Sequence, residues 1–188
     1  MGSFNVVADV GNSMLKILRD NLCPDIIPQP EMIGLGSPAE RGDFKLTLFL
    51  YNIIESGEFR HNETVAISGN KVGFPPLSLD LYYLLTAHST SEISFKTADE
   101  HRILGKAMQA LFDNAILRGP NLIGTLAEKN EEIRIVIDNL PFDLMMKLWT
   151  FPNVPYKLSV SYQVGPVYID SMRTRSLGRV LEIGSSKR

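Results

Sequence analysis

The segment from Leu77 to Thr86 constrains the fold more tightly than anything else in the chain. Leu77, Leu79, Leu81, Tyr83 and Leu85 alternate with Ser78, Asp80, Tyr82, Leu84 and Thr86. Strand side chains point to opposite faces with a period of two, so the pattern predicts a strand with one fully apolar face. A carboxylate at the centre of the other face predicts that this face is not sealed in a second core. Pro75 and Pro76 lack N–H donors and mark where the strand begins. Such a strand belongs at the centre of a sheet, with other elements covering its leucines.

A chain of 188 residues suits one domain, or one domain with a tail. With 44% hydrophobic and 21% charged residues, it carries the material for a core. A net charge of −2 gives no broad attraction to nucleic acid or anionic lipid. No apolar run reaches the roughly 20 residues that span a bilayer. Neither nucleic acid nor membrane is therefore expected as a partner. The single cysteine, Cys23, excludes an internal disulfide and suits a reducing compartment. The N-terminus shows no basic stretch followed by an apolar run, so no signal peptide is expected.

The flanking segments supply the cover. Phe4, Val7, Gly11, Met14, Leu15, Leu18 and Leu22 follow helical spacing, with Ser3 as N-cap and Cys23-Pro24 as the stop. Gly11 inside that helix predicts close packing. Residues 24–43 read as a turn-rich connection. Phe44 to Tyr51 predicts a second strand, with Phe44, Leu46, Leu48 and Leu50 on its apolar face. Residues 55–74 predict a long polar excursion holding a small hairpin closed at Gly69-Asn70. Thr97-Ala98-Asp99-Glu100 has capping-box spacing, and a helix is predicted from there to Arg118-Gly119-Pro120. Ile133, Ile135 and Ile137 predict a third strand. Pro141 to Thr150 predicts a short helix with Leu144, Leu148 and Trp149 on one face, stopped by Phe151-Pro152. Tyr156 to Val164 predicts a fourth strand, interrupted at Gly165-Pro166 and resuming over Val167-Tyr168-Ile169. The expected fold class is α+β: a single mixed, largely antiparallel sheet with helices packed on one face.

Chemistry is sparse. His61, His88 and His101 have no second ligand at metal-binding spacing, and no cofactor or metal is expected. Gly34-Leu35-Gly36 resembles a phosphate loop only weakly, because no lysine follows and no helix opens there. Cys23 has no local base, and no Gly-x-Ser-x-Gly elbow occurs. Asp80 reads as a carboxylate on the wet face of a sheet or, more sharply, as a charge paired across a subunit boundary. Residues 171–188 carry Arg173, Arg175, Arg179, Lys187 and Arg188 against one acid, Glu182, with branched apolar residues between them. This tail has two placements open to it: folded back on its own sheet, or laid across a neighbouring subunit as an added strand.

Several segments together resemble one family: Leu46-Thr47-Leu48-Phe49-Leu50-Tyr51, Pro75 to Thr86, Leu104-Gly105-Lys106-Ala107-Met108-Gln109, and Leu148-Trp149 followed by Tyr156 to Tyr162. Their order and spacing are similar to the N-terminal domain of the cap, or tube-terminator, proteins of contractile injection systems. These systems are phage-tail-like particles of the antifeeding-prophage and virulence-cassette type. The resemblance covers residues 4–172. It implies a tail-terminator-like domain over residues 1–170, with 171–188 as a basic tail or arm. It implies a structural protein and not an enzyme. Such caps form a six-fold homo-oligomeric ring at the baseplate-distal end and stop elongation of the inner tube and sheath. The implied partners are further copies of the chain, the inner tube protein and the sheath protein. The implied location is the bacterial cytoplasm during assembly, then the particle itself. Asp80, Arg173, Arg175 and Arg179 are the residues expected at subunit or tube interfaces. A neck or tail-completion adaptor is the alternative, and an α/β ligand-binding module or enzyme is a more distant one.

Overall fold

The computed structural model describes residues 4–40, 42–57, 65–68, 71–129, 131–150 and 154–176. Helix α1 (Val6–Leu22) buries Val10, Met14, Ile17, Leu18 and Leu22 along one broad stripe. It ends where Cys23 takes an extended backbone before Pro24. Phe4 lies outside the helix and is 81% exposed, so the apolar stripe starts at Val6. Ser3, expected as the N-cap, lies outside the described residues. Gly11 packs as expected: a β-carbon there would stand 3.2 Å from Leu35 and 3.4 Å from the Tyr83 hydroxyl.

The turn-rich connection contains a short strand that the sequence reading missed, β1 (Ile33–Leu35). It pairs in parallel with β2 (Leu46–Glu55). The guanidinium of Arg19 donates to the Ile33 carbonyl at 2.7 and 3.2 Å, so α1 covers the outer side of β1. Within the excursion β3 (Val65–Ser68) pairs antiparallel with β4 (Lys71–Gly73); Gly69-Asn70, the expected turn, lies outside the described residues.

The central strand β5 (Leu77–Ala87) lies between β2 and β8 (Ser159–Ile169), antiparallel to both. Strand β7 (Ile133–Asp138) pairs with β8, and β6 (Ile116–Leu117) pairs with the start of β7. The main sheet therefore has six strands in the order β1-β2-β5-β8-β7-β6, all antiparallel except β1 with β2. The mixed, largely antiparallel α+β class is as expected. The single sheet is not, because β9 (Thr174–Ser176) joins β3 and β4 in a separate three-stranded sheet.

Helix α1 and helix α2 (Ile93–Asp113) cover the leucine face. Leu104, Ala107 and Leu111 of α2 join Leu79, Leu81, Tyr83 and Leu85 of β5 in the main core. Helix α2 begins one turn before the expected capping box. Asp99 and Glu100 sit inside it and bind the preceding loop instead: Ser89 donates its hydroxyl to Asp99 at 2.5 Å and its N–H to Glu100 at 3.1 Å. The helix also ends early, at Asp113, and the following residues form β6 and a turn around Gly119. Helix α3 (Thr125–Lys129) is capped from α1, since Asp9 accepts the N–H and hydroxyl of Thr125 at 2.9 and 2.6 Å.

The opposite face is partly sealed, against expectation. Helix α4 (Phe142–Leu148) and the residue after it place Met145 and Trp149 on Leu84, with Phe49 and Tyr51 beside them. Leu144 is 41% exposed, so Met145 and not Leu144 shares the buried side with Trp149. Phe151-Pro152 lies outside the described residues. The remainder of that face, around Asp80, stays open.

Candidate assembly surface

Asp80 sits at an irregularity in the pairing of β5 with β8. Leu79 faces Val167 and Leu81 faces Val164, so Gly165 and Pro166 together oppose Asp80. This is a β-bulge in β8. A bulge is where an interior strand accepts a proline, because the missing N–H falls outside the ladder. The strand therefore runs through Gly165-Pro166 without the expected interruption. A β-carbon on Gly165 would meet the Asp80 carboxylate, so a larger residue there requires the carboxylate or the bulge to shift.

Around this notch lies an open groove of about 710 Å³, lined among others by Ser56, Asp80, Glu132, Arg134, Gln163 and Pro166. Arg134 and Asp80 share the groove, and among the described residues they form no ion pair. Burial, and then nearby carboxylates, act on the neighbouring phenols. Tyr82 is pushed up, first by burial and then by the charges of Asp80 and Asp138. Tyr168 is also pushed up, by burial and then by Glu131 and Asp80, while its hydrogen bond with Ser78 acts the other way. Asp138 is held by the hydroxyls of Ser161 at 2.9 Å and Tyr51 at 3.3 Å.

The arginines lie elsewhere. Arg173 stacks its guanidinium 4.2 Å from the centre of the Phe74 ring, and its carbonyl accepts the Phe74 N–H at 3.3 Å. Arg175 stands opposite Val72 in the pairing of β9 with β4. The beginning of the tail thus folds back on its own chain, onto the excursion and not onto the main sheet. Arg179 lies outside the described residues. Asp80 and Arg173 are not brought into one site: Arg173 is absent from the lining of the Asp80 groove. Sequence reasoning missed Arg134, Glu132 and Gln163. Arg134 carried a usable signal, because it alternates with the buried Ile133 and Ile135 and so points to the polar face.

His88 Nε2 meets Thr47 Oγ1 at 2.9 Å, but both residues are fully buried in the sheet. Among the described residues, no group of three or more His, Cys, Asp or Glu is placed to hold a metal ion. Among the same residues, no helix is long and apolar enough to cross a membrane.

The Gly34-Leu35-Gly36 segment is strand β1 and its exit, not a phosphate loop. Gly34 is there because the Phe44 ring lies against its Cα, leaving no room for a side chain.

The described residues form an α+β domain with a six-stranded main sheet and a three-stranded minor sheet. Solved structures share this architecture. The sheath/tube terminator of an extracellular contractile injection system, PVC, in its extended state aligns with a TM-score of 0.67 at 18% identity, covering 100% of this chain and 65% of that one. The tube-terminating cap of the anti-feeding prophage aligns with a TM-score of 0.59 at 18% identity, covering 96% of this chain and 61% of that one. This chain thus spans less than two thirds of the length of either structure. No curated protein matches it. The profile of the Pvc16 N-terminal domain matches residues 10–182, and the chain belongs to that family.

Proposed function

We propose that this chain is the subunit of a structural, non-enzymatic cap. Copies of it assemble a homo-oligomeric ring, six-fold by likeness to its family, at the baseplate-distal end of a contractile phage-tail-like particle. There the ring contacts the inner tube and sheath proteins and stops their elongation. Assembly takes place in the bacterial cytoplasm, and the ring then stays with the particle. The observation that carries this reading is the match in fold over the whole chain to a sheath/tube terminator.

The physical logic supports it. A tube grows by one heterologous contact repeated along an axis, and growth stops when a ring fits the last layer but offers no copy of that layer beyond. One chain bearing an anionic sheet face and a basic minor sheet has the two unlike surfaces that a head-to-tail contact needs. Asp80, Arg173, Arg175 and Arg179 are proposed at these contacts, with residues 171–188 as an arm. Electron microscopy of particles assembled without this protein tests the reading. A terminator predicts tubes and sheaths of uncontrolled length. Normal lengths with failed attachment would identify a neck or joining adaptor instead.

A further inference from the structure

We propose that the open edge of β7 at Ile137, with the apolar recess beside it, receives the Met172–Ser176 segment of a second copy as an added strand. This rests on the ring reading above and names its contact. Strand β6 pairs only with Ile133 and Arg134. The next outward N–H, that of Ile135, is taken by the Ala115 carbonyl at 2.8 Å. Ile137 points its main-chain groups the same way, and among the described residues nothing meets them. An uncovered strand edge is a template for another strand.

The recess makes this edge more than a bare backbone. It measures about 280 Å³ and lies between β7 and the end of α2, lined by Met108, Leu111, Phe112, Ile137 and Tyr162 among others. Phe112 is 78% exposed, Val136 54% and Ile137 43%. Contiguous exposed apolar groups of this kind mark contact sites. Tyr162 is 2% exposed and lines the recess, and its hydroxyl makes no hydrogen bond among the described residues. A buried polar group of this sort is normally satisfied, and an incoming strand can supply the partner. The far side of the sheet is different: Asn52 turns its own side-chain oxygen onto the Ile53 N–H at 3.0 Å, which blunts the β2 edge.

The same chain offers the matching surface. Strand β9 is the edge of the minor sheet. Met172, just before it, is 97% exposed. A thioether packs well against aromatic rings, and the recess presents Phe112 and Tyr162. Arg173, exposed just before β9, brings positive charge. Beside the recess Asp113 follows Phe112, and Arg118 nearby lies 3.9 Å from Glu132. Because the two patches differ, the contact is head-to-tail and makes a ring where its rotation closes, whereas β7 against β7 would stop at two copies.

The test uses the full chain with Cys23→Ser as background. Ile137→Cys with Thr174→Cys, under mild oxidation, should give a ladder of cross-linked species up to the closed ring, and neither substitution alone should. Dimers from Ile137→Cys alone, or an assembled ring without cross-links, would overturn the proposal. Phe112→Glu lies on an exposed helix surface and should melt near the parent temperature; Ile137→Pro removes an outward N–H and a partly buried side chain and should melt somewhat lower while still folding. Each should weaken assembly at least tenfold by sedimentation. Rings unaffected by either change would sink this contact and leave the ring reading standing. A parent protein that stays monomeric both alone and with tube ends would remove both.

Discussion

The carboxylate of Asp80 occupies the space that a β-carbon on residue 165 would need. Gly165→Ala should therefore force the carboxylate or the bulge to move, at a cost of about 1–3 kcal/mol. Asp80→Ala should recover much of that loss in the double variant, because the two residues compete for one volume. Urea denaturation of the two single variants and the double checks this. Strictly additive losses would mean that the two residues do not meet.

Glu100 ties α2 to the loop after β5 and to Lys157, whose ammonium donates to it at 2.7 Å. Burial alone pushes its carboxyl up. The hydrogen bonds from Lys157 and the Ser89 N–H, with the charges of Lys157 and Lys96, outweigh burial and hold it below the usual range. A carboxyl lowered in the folded state stabilises fully above its unfolded value of about 4.3, and that contribution fades as pH falls through the folded value. Glu100→Gln should cost about 1 kcal/mol at neutral pH and flatten the loss of stability on acidification. Denaturation series at neutral and acidic pH would show both, and an unchanged acid limb would contradict the assignment.

Met145 and Trp149 anchor α4 on Leu84. Met145→Ala should destabilise the fold by about 2–4 kcal/mol. Trp149 is the only tryptophan in the chain, so its emission reports this contact alone. The expected result is a red shift with little change in helical circular dichroism. A silent emission spectrum would place Trp149 outside the contact.

Arg173 packs on Phe74. Arg173→Gln should remove about 0.5–1 kcal/mol of local stabilisation. Hydrogen exchange should quicken at Lys71–Gly73 and Thr174–Ser176 and remain unchanged in β5 and β8. Equal quickening in the main sheet would mean that the minor sheet is not an independent unit.

The main sheet was legible because its strands alternate cleanly. Ile133–Asp138 was read to the residue, and β5 to within one. Strand β1 was not legible, since three residues among prolines and glycines carry no periodicity and are made a strand by Leu46–Leu48 alongside them. The start of α2 was hidden for the opposite reason. Ile93 is 92% exposed and Phe95 67%, so the first turns show no buried stripe. Leu84 was the visible clue to α4, a branched apolar residue on an otherwise polar face. Among the candidate interface residues, Asp80 was legible as a charge on the polar face of its strand, beside the arginines of the tail. Its neighbours Arg134 and Gln163 belong to other strands, and only the register of β7 with β8 brings them beside it. The partnership of Arg173 with Phe74 depended on the chain returning to the hairpin after about a hundred residues.

The minor sheet hangs from the two most deeply embedded strands. Strand β4 leads into β5 and β8 leads into β9, and the two connections leave from the same end, where Leu77 faces Ile169. A pull on the minor sheet along that axis would draw both eleven-residue strands together. Their ladders to β2 and β7 would then be loaded in shear, all bonds at once, and not unzipped one at a time. A handle mounted this way can bear a pull along that axis without peeling its own domain apart.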